Sequence, residues 1–218
     1  MKLVVVTSRF PYPLEKGDKL RLYFQIKYLA QRHEITLLSL ADEPVSEDSL
    51  NHINSFCNSV HIFPIKKNRA KWNALKSLIT NTPLEVNYFF NNKIKRRFEE
   101  IIHQVRPDHI YCQLIRMSEY VRNLPYPKTL DYMDAFSIGM QRRAENSNPI
   151  TKAIFKRDAT KIAKYESVVY HDFDNHTIIS EQDRKHLAFF KNEKIHVLPN
   201  GVDTHFFAPM PQVKKSFN

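Results

Sequence analysis

Apolar runs alternate with amphipathic runs along most of the 218 residues of the chain. The first run, over residues 3–7, begins with four consecutive apolar residues, which is typical of a strand buried on both faces of a sheet. Further strands are predicted at residues 34–40, 60–65, 108–112, 128–132, 175–179 and 195–198. Helices are predicted at residues 19–30, 46–56, 71–80, 91–105, 117–123, 150–169 and 181–190. This alternation predicts an α/β fold with a parallel sheet flanked by helices.

Three of the predicted helices show a clear apolar stripe, and Asp18, just before the first of them, is a candidate N-cap. The stripe of the first helix consists of Leu22, Ile26, Leu29 and Ala30. The stripe of helix 71–80 consists of Trp72, Leu75, Leu78 and Ile79. The stronger stripe of helix 91–105 consists of Ile94, Phe98, Ile101, Ile102 and Val105.

The chain is basic, with a formal net charge of +10, and the excess is concentrated in residues 66–106. That segment has ten Lys and Arg residues against three acidic ones. The charge fits a solvated helical face, or a contact with an anionic membrane or a charged acceptor. Nucleic acid is not an expected partner, because no helix-turn-helix, zinc-finger or aromatic RNA-binding signature accompanies the charge.

The two cysteines, Cys57 and Cys112, lie far apart in apolar contexts, which is typical of reduced, buried thiols in a cytoplasmic protein. No cluster of Cys and His has zinc spacing, so no metal site is predicted. The first apolar run is too short for a signal peptide, and no window is as long as a membrane span. Any membrane contact is therefore expected to be peripheral, at the inner face of the cell membrane.

Glycine is rare, and each of the three glycines is predicted to follow a strand: Gly17, Gly139 and Gly201. Such positions suggest a positive φ or a close approach of the backbone to a ligand, although ordinary turns are the alternative. The loop at residues 8–18 has neither a Walker nor a dinucleotide-binding pattern. A glycine at a helix N-terminus can still present backbone N–H groups to a phosphate, with Lys16, Lys19 and Arg21 nearby.

Two carboxylates lie at the end of the predicted strand 128–132, one within its last residues and one just after it. Asp131 and Asp134 are three residues apart, and together they could act as base and hydrogen-bonding groups toward a polyhydroxyl substrate. Asp134 has a simpler alternative role as the cap of the following helix. Because ligands of open parallel sheets bind at the carboxyl ends of strands, we expect the chemistry at this edge.

Several segments together resemble family 4 of the GT-B glycosyltransferases. Residues 199–209 read PNGVDTHFFAP, which is similar to the segment that ends the N-terminal domain in that family. Residues 179–184 read ISEQDR and resemble the strand-to-helix step before it. Residues 9–21 and 130–134 resemble a subgroup of sugar transferases of exopolysaccharide and exosortase-linked systems. The resemblance covers essentially the whole chain.

The resemblance implies that residues 1–208 form the N-terminal, acceptor-side half of a GT-B fold, which is a Rossmann-like domain. Residues 209–218 would begin the linker to a C-terminal, donor-binding domain, which lies outside this chain. The implied activity is transfer of a sugar from a nucleotide-sugar to a glycan or lipid-linked acceptor, with retention of configuration, in cell-surface polysaccharide biosynthesis. As an isolated half, the chain is expected to be inactive.

The resemblance also implies roles for individual residues and no cofactor beyond the nucleotide-sugar substrate. The residues expected to bind the donor and its phosphates are Gly17, Asp18, Lys19 and Arg21. The expected catalytic residues are Asp131 and Asp134, where Asp131 occupies a position that is histidine in many members of the family. The expected wall of the cleft on the hinge side consists of Ser180, Asn200 and Gly201.

Two other functions remain open from the sequence. A nucleotide-sugar epimerase of the GT-B type has the same fold and would use acid and base groups from two domains. A non-catalytic α/β module would use the basic surface to dock on a membrane or another protein.

Overall fold

The computed structural model of the protein describes residues 1–187, 195–204 and 207. Its centre is one sheet of seven strands in the order β3-β2-β1-β4-β5-β6-β7, and every neighbouring pair is parallel. The strands are β1 (Lys2–Thr7), β2 (Glu34–Ala41), β3 (Ser59–Pro64), β4 (His109–Gln113), β5 (Lys128–Met133), β6 (Asn175–Ile178) and β7 (Ile195–Val197). The predicted α/β fold with a parallel sheet is confirmed, and all seven predicted strands are present.

Helices follow most of the strands. The first four are α1 (Gly17–Leu29), α2 (Glu47–Asn54), α3 (Lys67–Leu75) and α4 (Leu84–Phe89). The remaining ones are α5 (Asn92–Val105), α6 (Phe136–Glu145), α7 (Pro149–Tyr170) and α8 (Glu181–His186). The described residues also form two 3₁₀ helices: Lys76–Leu78, which extends α3, and Ile115–Tyr120, which follows β4. The helix predicted at residues 117–123 is the second of these, and α4 was not predicted.

Successive residues of β1 point to opposite faces of the sheet, and both faces are covered. Val4 and Val6 pack in one cluster with side chains of α5 and of the 3₁₀ helix after β4. Leu3 and Val5 pack in the other cluster with side chains of α1 and α2. This double burial explains why the β1 run is continuously apolar rather than alternating.

The order of the strands reverses direction between β1 and β4, which are adjacent in the sheet although two strands separate them in the chain. In open parallel sheets, ligands bind in the crevice at the carboxyl ends of the strands at such a reversal. The registers bring Val6 beside Cys112 and Gln113 beside Asp131, so the ends of β1, β4 and β5 meet at one edge. The candidate functional site therefore lies at this edge of the sheet.

Asp18 is not the N-cap of α1, so that prediction was wrong. The cap position is Lys16, which makes no side-chain capping bond, and Asp18 lies in the first turn of the helix. Its carboxylate instead accepts hydrogen bonds from Arg9 and from Arg116, which follows β4. An ion pair with two guanidinium groups has displaced the local capping interaction.

The prediction about the glycines also failed in one respect. All three lie in described segments, and none has a positive φ; a Cβ added to any of them would meet no atom of the protein within 4 Å. Gly139 lies within α6 rather than in a loop. A ligand-related reason for glycine at Gly17 and Gly201 stays a prediction.

The apolar stripe of α3 and its 3₁₀ extension is exposed, unlike that of α5. All four of its members have more than a third of their surface exposed: Trp72, Leu75, Leu78 and Ile79. The residues that this segment buries are instead Ala70 and Ser77. This exposed stripe lies on the basic segment noted in the sequence.

Cys57 and Cys112 are free and buried, as predicted. Among the helices that the structure describes, none combines the length and apolar character needed to cross a membrane. Residues 188–190 of the last predicted helix and the predicted linker at 209–218 lie outside the described residues.

Candidate functional site

A buried ion pair lies at the carboxyl edge of the sheet. Arg21 Nε of α1 donates to Asp131 Oδ2 of β5 at 2.9 Å, and the Asp131 side chain is 0 % exposed. Such a pair is stable only when the remaining polar atoms of both groups are also satisfied. Both side chains meet this condition.

The carboxylate of Asp131 accepts further bonds beyond the one from Arg21 Nε. The hydroxyl of Tyr111 donates to Asp131 Oδ2 at 2.7 Å, and the backbone N–H of Met133 donates to Oδ1 at 3.2 Å. Burial and the charge of Asp131 raise the pKa of Tyr111 well above its ordinary value, so this hydroxyl remains a donor. A substrate hydroxyl that bonded to Asp131 would have to replace one of these partners.

The guanidinium of Arg21 also holds the segment that follows β7. Its Nη1 donates to the carbonyl of Leu198 and to Asn200 Oδ1, both at 2.9 Å. Three predicted site residues, Arg21, Asp131 and Asn200, thus belong to one hydrogen-bonded network. The network joins α1, the end of β5 and the predicted hinge-side wall.

A second buried guanidinium, that of Arg116, lies next to this network. Its nitrogens donate to Ser8 Oγ at 2.8 Å, to Glu85 Oε2 at 3.0 Å and to Asp18 Oδ2 at 3.2 Å. The ring of Phe89 lies 4.5 Å from the guanidinium carbon. Burial would raise the pKa of Asp18, but Arg9 and Arg116 outweigh it and hold that pKa below its usual range. Asp18 is therefore a charged partner of two arginines.

Gln113 connects the ends of three elements. Its Oε1 accepts from the Thr7 hydroxyl at 2.8 Å, and its Nε2 donates to the Asp18 carbonyl at 2.8 Å. Gln113 is buried, and the sulfur of Met133 lies 3.6 Å from the same Nε2. Sequence reasoning missed both Gln113 and Arg116. The feature of the sequence that could have indicated them is a polar side chain at, or just after, the end of a predicted apolar strand.

Asp134 differs from Asp131 because it is exposed at the edge. Although Asp134 is exposed as a residue, the protein around its carboxyl group excludes part of the water and raises its pKa. The charge of Asp183 raises this pKa further, and the charge of Arg116 opposes the shift. A carboxyl group with a raised pKa and access to solvent is suited to exchange a proton with a ligand. Below it, burial raises the pKa of Glu166 to about 7, although Ser137 donates its backbone N–H to that carboxylate.

The other predicted site residues lie around the same edge without joining the network. Gly17 is exposed at the first position of α1, and Lys19 Nζ lies 4.0 Å from Glu15. Ser180 caps α8, where its hydroxyl oxygen accepts from the backbone N–H of Asp183 at 3.0 Å. Gly201 is exposed in the segment after β7.

Strained backbone also occurs at this edge. Leu114 directly after β4 has φ 69°, and Met133 at the end of β5 has φ 62°. A side chain in this region costs about 1–3 kcal/mol, and such residues concentrate at functional sites. Within the described part of the chain, no three His, Cys, Asp or Glu side chains are grouped as metal ligands.

Solved structures share this fold. Sucrose-phosphate synthase from Thermosynechococcus elongatus superimposes with a TM-score of 0.65 at 11% identity, covering 96% of this chain and 51% of that one. UGT2 of Phytolacca americana, complexed with UDP-2fluoro-glucose and pterostilbene, gives 0.55 at 12% identity, covering 92% and 54%. This is one Rossmann-like half of a GT-B fold. The chain spans about half the length of these proteins.

An epimerase and one curated protein are also similar. UDP-GlcNAc 2-epimerase from Methanocaldococcus jannaschii gives a TM-score of 0.51 at 9% identity, covering 90% of this chain and 45% of that one. An uncharacterized 44.6 kDa protein in the cps region of Klebsiella pneumoniae is 25% identical over 131 residues, which are 60% of this chain and 31% of that protein. The chain matches no model of a known protein family.

Proposed function

We propose that the chain is the acceptor-side domain of a glycosyltransferase that moves a sugar from a nucleotide-sugar to a glycan or lipid-linked acceptor. The observation that carries the proposal is the Arg21–Asp131–Asn200 network. It lies at the strand reversal of a GT-B half, where ligands of such sheets bind. The solved structure of UGT2, which has the same fold, is a complex with UDP-2fluoro-glucose. The similar protein from a cps region supports a role in polysaccharide biosynthesis.

In this proposal the two predicted catalytic carboxylates have different roles. Asp134, which is exposed and has a raised pKa, meets the hydroxyl groups of the acceptor or the transferred sugar. Asp131, whose carboxylate already has protein partners on both oxygens, fixes Arg21 and through it the segment at 198–200. Asp131 is thus a positioning residue, and it would contact substrate only by exchanging a bond.

The donor phosphates would lie at the start of α1. Gly17 is exposed there, the first-turn N–H groups and the helix dipole favour an anion, and Lys19 adds charge. Arg21 would support this site from behind, since its guanidinium is buried. Asp18 would neutralise Arg9 and Arg116 rather than touch phosphate.

The proposal also includes the stereochemistry of the transfer, the family, the location in the cell and the activity of the isolated chain. Retention of configuration and membership of family 4 rest on the sequence resemblance described above, which residues 199–209 carry together with residues 179–184, 9–21 and 130–134. Free, buried Cys57 and Cys112 support a cytoplasmic location, where thiols stay reduced. Because a GT-B active site lies between two halves, residues 1–218 alone should show weak donor binding and no turnover.

The test is a transferase assay on the complete gene product, with a panel of nucleotide-sugars and lipid-linked or glycan acceptors. Asp134→Asn should lower kcat by at least about tenfold while leaving the donor Kd nearly unchanged. The matched control is Glu100→Gln, which removes an exposed carboxylate on α5. Robust transfer by residues 1–218 alone, or full activity of Asp134→Asn, would contradict the proposal.

An epimerase is the second candidate, because one similar structure is a UDP-GlcNAc 2-epimerase. An epimerase would convert a nucleotide-sugar without any acceptor and would exchange a sugar hydrogen with solvent. Incubation of the complete gene product with donor alone in deuterated water separates the two functions. Deuterium in the recovered nucleotide-sugar would favour the epimerase.

A further inference from the structure

The exposed apolar residues of the chain are unevenly distributed. Two of the most exposed are Trp72, at 71 %, and Ile79, at 88 %, and both lie on α3 or just after its 3₁₀ extension. Leu75 and Leu78 are exposed between them. An exposed apolar stripe on a helix usually marks a contact with another protein or with a membrane.

Exposed cations lie in the same segment as this stripe. Five basic residues lie in the segment 66–78 and no acidic residue interrupts them: Lys66, Lys67, Arg69, Lys71 and Lys76. All five are exposed. One of them, Lys67, lies 3.6 Å from an exposed carboxylate, Glu43, and such a pair is weak.

Helix α7 continues the same surface. Lys161 Nζ donates to the carbonyls of Ser77 and Thr80, which joins α7 to the end of the stripe. A groove of about 190 Å³ between the two elements is lined by Leu78, Ile154 and other residues. The apolar stripe of α3 therefore meets an exposed apolar residue of α7.

The outward face of α7 is also basic. Its exposed or half-exposed cations are Lys152, Lys156, Arg157, Lys161 and Lys164. Its two acidic residues, Asp158 and Glu166, are both buried and face the protein interior. Nothing negative on α7 therefore offsets the positive charge that it presents to solvent.

Helix α5, the other half of the basic segment, does not continue this surface. Its acidic residues are near its cations: Arg97 Nη1 lies 2.6 Å from Glu100, and Lys95 Nζ lies 4.0 Å from Glu99. The apolar stripe of α5 points into the core. Its charge resembles that of an ordinary solvated helix face.

We propose that the surface formed by α3, its 3₁₀ extension, the following residue Ile79 and the outward face of α7 docks on an anionic lipid bilayer, with Trp72 and Ile79 inserted among the headgroups. We call it the docking face. An apolar stripe framed by Lys and Arg, with Trp among the apolar residues, has the chemistry of helices that lie in a membrane interface. Charge alone would suit any polyanion, and the exposed apolar stripe is what favours lipid.

The docking face borders the candidate site. Leu84, at the start of α4, lines the groove between the 3₁₀ helix and α7, and its N–H donates to Asp158. The next residue, Glu85, pairs with Arg116 in the cleft. A bilayer bound at this face would thus hold a lipid-linked molecule next to the edge where the proposed chemistry occurs.

The single tryptophan of the chain makes this testable, because Trp72 alone reports on the docking face. The 218-residue chain is mixed with vesicles of phosphatidylcholine, with or without about a third of phosphatidylglycerol, and binding is followed by sedimentation and fluorescence. With the anionic vesicles we expect sedimentation, a blue shift of the Trp72 emission and protection from acrylamide. With neutral vesicles we expect little sedimentation, little blue shift and little protection from acrylamide.

Matched variants separate the docking face from general charge. Each basic residue near an anionic surface contributes about fivefold in partitioning, so Arg69→Glu with Lys71→Glu should weaken binding at least about tenfold. Lys93→Glu with Arg96→Glu makes the same charge change on exposed positions of α5 and should have a much smaller effect. Ile79→Ser should weaken binding without changing the charge, and circular dichroism checks that every variant is folded.

Several results would overturn the proposal. One is a failure to bind anionic vesicles. Another is binding without a change in the Trp72 emission. A third is an equal loss of vesicle binding from the charge-reversal pairs on α3 and α5. A blue shift that grows with protein concentration without lipid would assign the face to a second copy of the chain. A blue shift on adding duplex DNA, but not vesicles, would assign it to nucleic acid. No sugar donor is used, so failure here leaves the proposed transferase untouched, and the reverse also holds.

Discussion

Helices α3 and α5 have the same sequence pattern, but the fold buries the apolar stripe of α5 and leaves that of α3 exposed. Both are basic and carry apolar residues at helical spacing. On α5 the stripe packs under the sheet, where Phe98 and Ile102 are fully buried. On α3 the stripe with Trp72 faces solvent, and the helix buries only Ala70. Periodicity therefore predicts which side of a helix is apolar, but the neighbouring elements decide whether the protein itself covers it.

The largest expected difference between the two helices is in stability. Phe98 packs with Phe63 and Tyr120 at ring separations of 4.8 Å each, so Phe98→Ala should cost about 3–5 kcal/mol of unfolding free energy. Trp72→Ala removes a larger side chain but should cost under about 0.5 kcal/mol, because that side chain is mostly exposed. Urea unfolding of both variants measures this. Similar losses would mean that the α3 stripe is covered in solution.

The same distinction should hold for charges. Asp131→Asn leaves Arg21 buried without its anion, which should cost about 3 kcal/mol. Glu100→Gln on α5 breaks an exposed pair with Arg97 and should cost under about 0.5 kcal/mol. Urea unfolding at low and high salt compares the two, and only the exposed pair should depend strongly on salt. A negligible effect of Asp131→Asn would remove the basis for its positioning role.

A smaller, pH-dependent effect on stability is expected from Glu166, the buried acidic residue near the end of α7. The pKa of Glu166 rises from 4.5 to about 7, so between these values the folded state holds a proton that the unfolded state has released. The contribution of Glu166 to stability therefore falls as pH rises through this window, by about 1–3 kcal/mol. Glu166→Gln should remove this slope and gain stability relative to wild type at about pH 8.

Glu100→Gln is the control for Glu166→Gln, because its side chain is exposed on α5. Thermal unfolding from mildly acidic to mildly basic pH measures both variants against wild type. If the stability of Glu166→Gln followed the wild-type pH profile, Glu166 would not be a buried acid, and the account of α7 as a helix that hides its acids would be wrong.

The sequence predicted the parallel sheet well because each strand carries its own local pattern. The uninterrupted apolar run of β1 needs burial on both faces, and Ser46 and Ser180 cap their helices through bonds three residues away. β3, which ends at Pro64, lies at the edge of the sheet, where a strand tolerates proline.

Much of the site could not be predicted in this way, because its contacts join distant parts of the chain. Arg116 reaches Ser8 across 108 positions and Asp18 across 98, and no local pattern indicates either pairing. Asp18 was predicted as a cap because caps are local, but its carboxylate pairs instead with Arg9 and with the distant Arg116. Asp131 was predicted as a catalytic residue, but its partner Arg21 was assigned separately to the donor phosphates.

The network around Arg21 has a consequence for how this sequence can vary. A buried aspartate at position 131 is tolerable only while a guanidinium lies at position 21, and Asn200 completes the bonding of that guanidinium. Replacing one of the three alone leaves a charge or a polar atom without a partner. We therefore expect positions 21, 131 and 200 to change together among homologous proteins, as one inherited unit drawn from three distant parts of the chain.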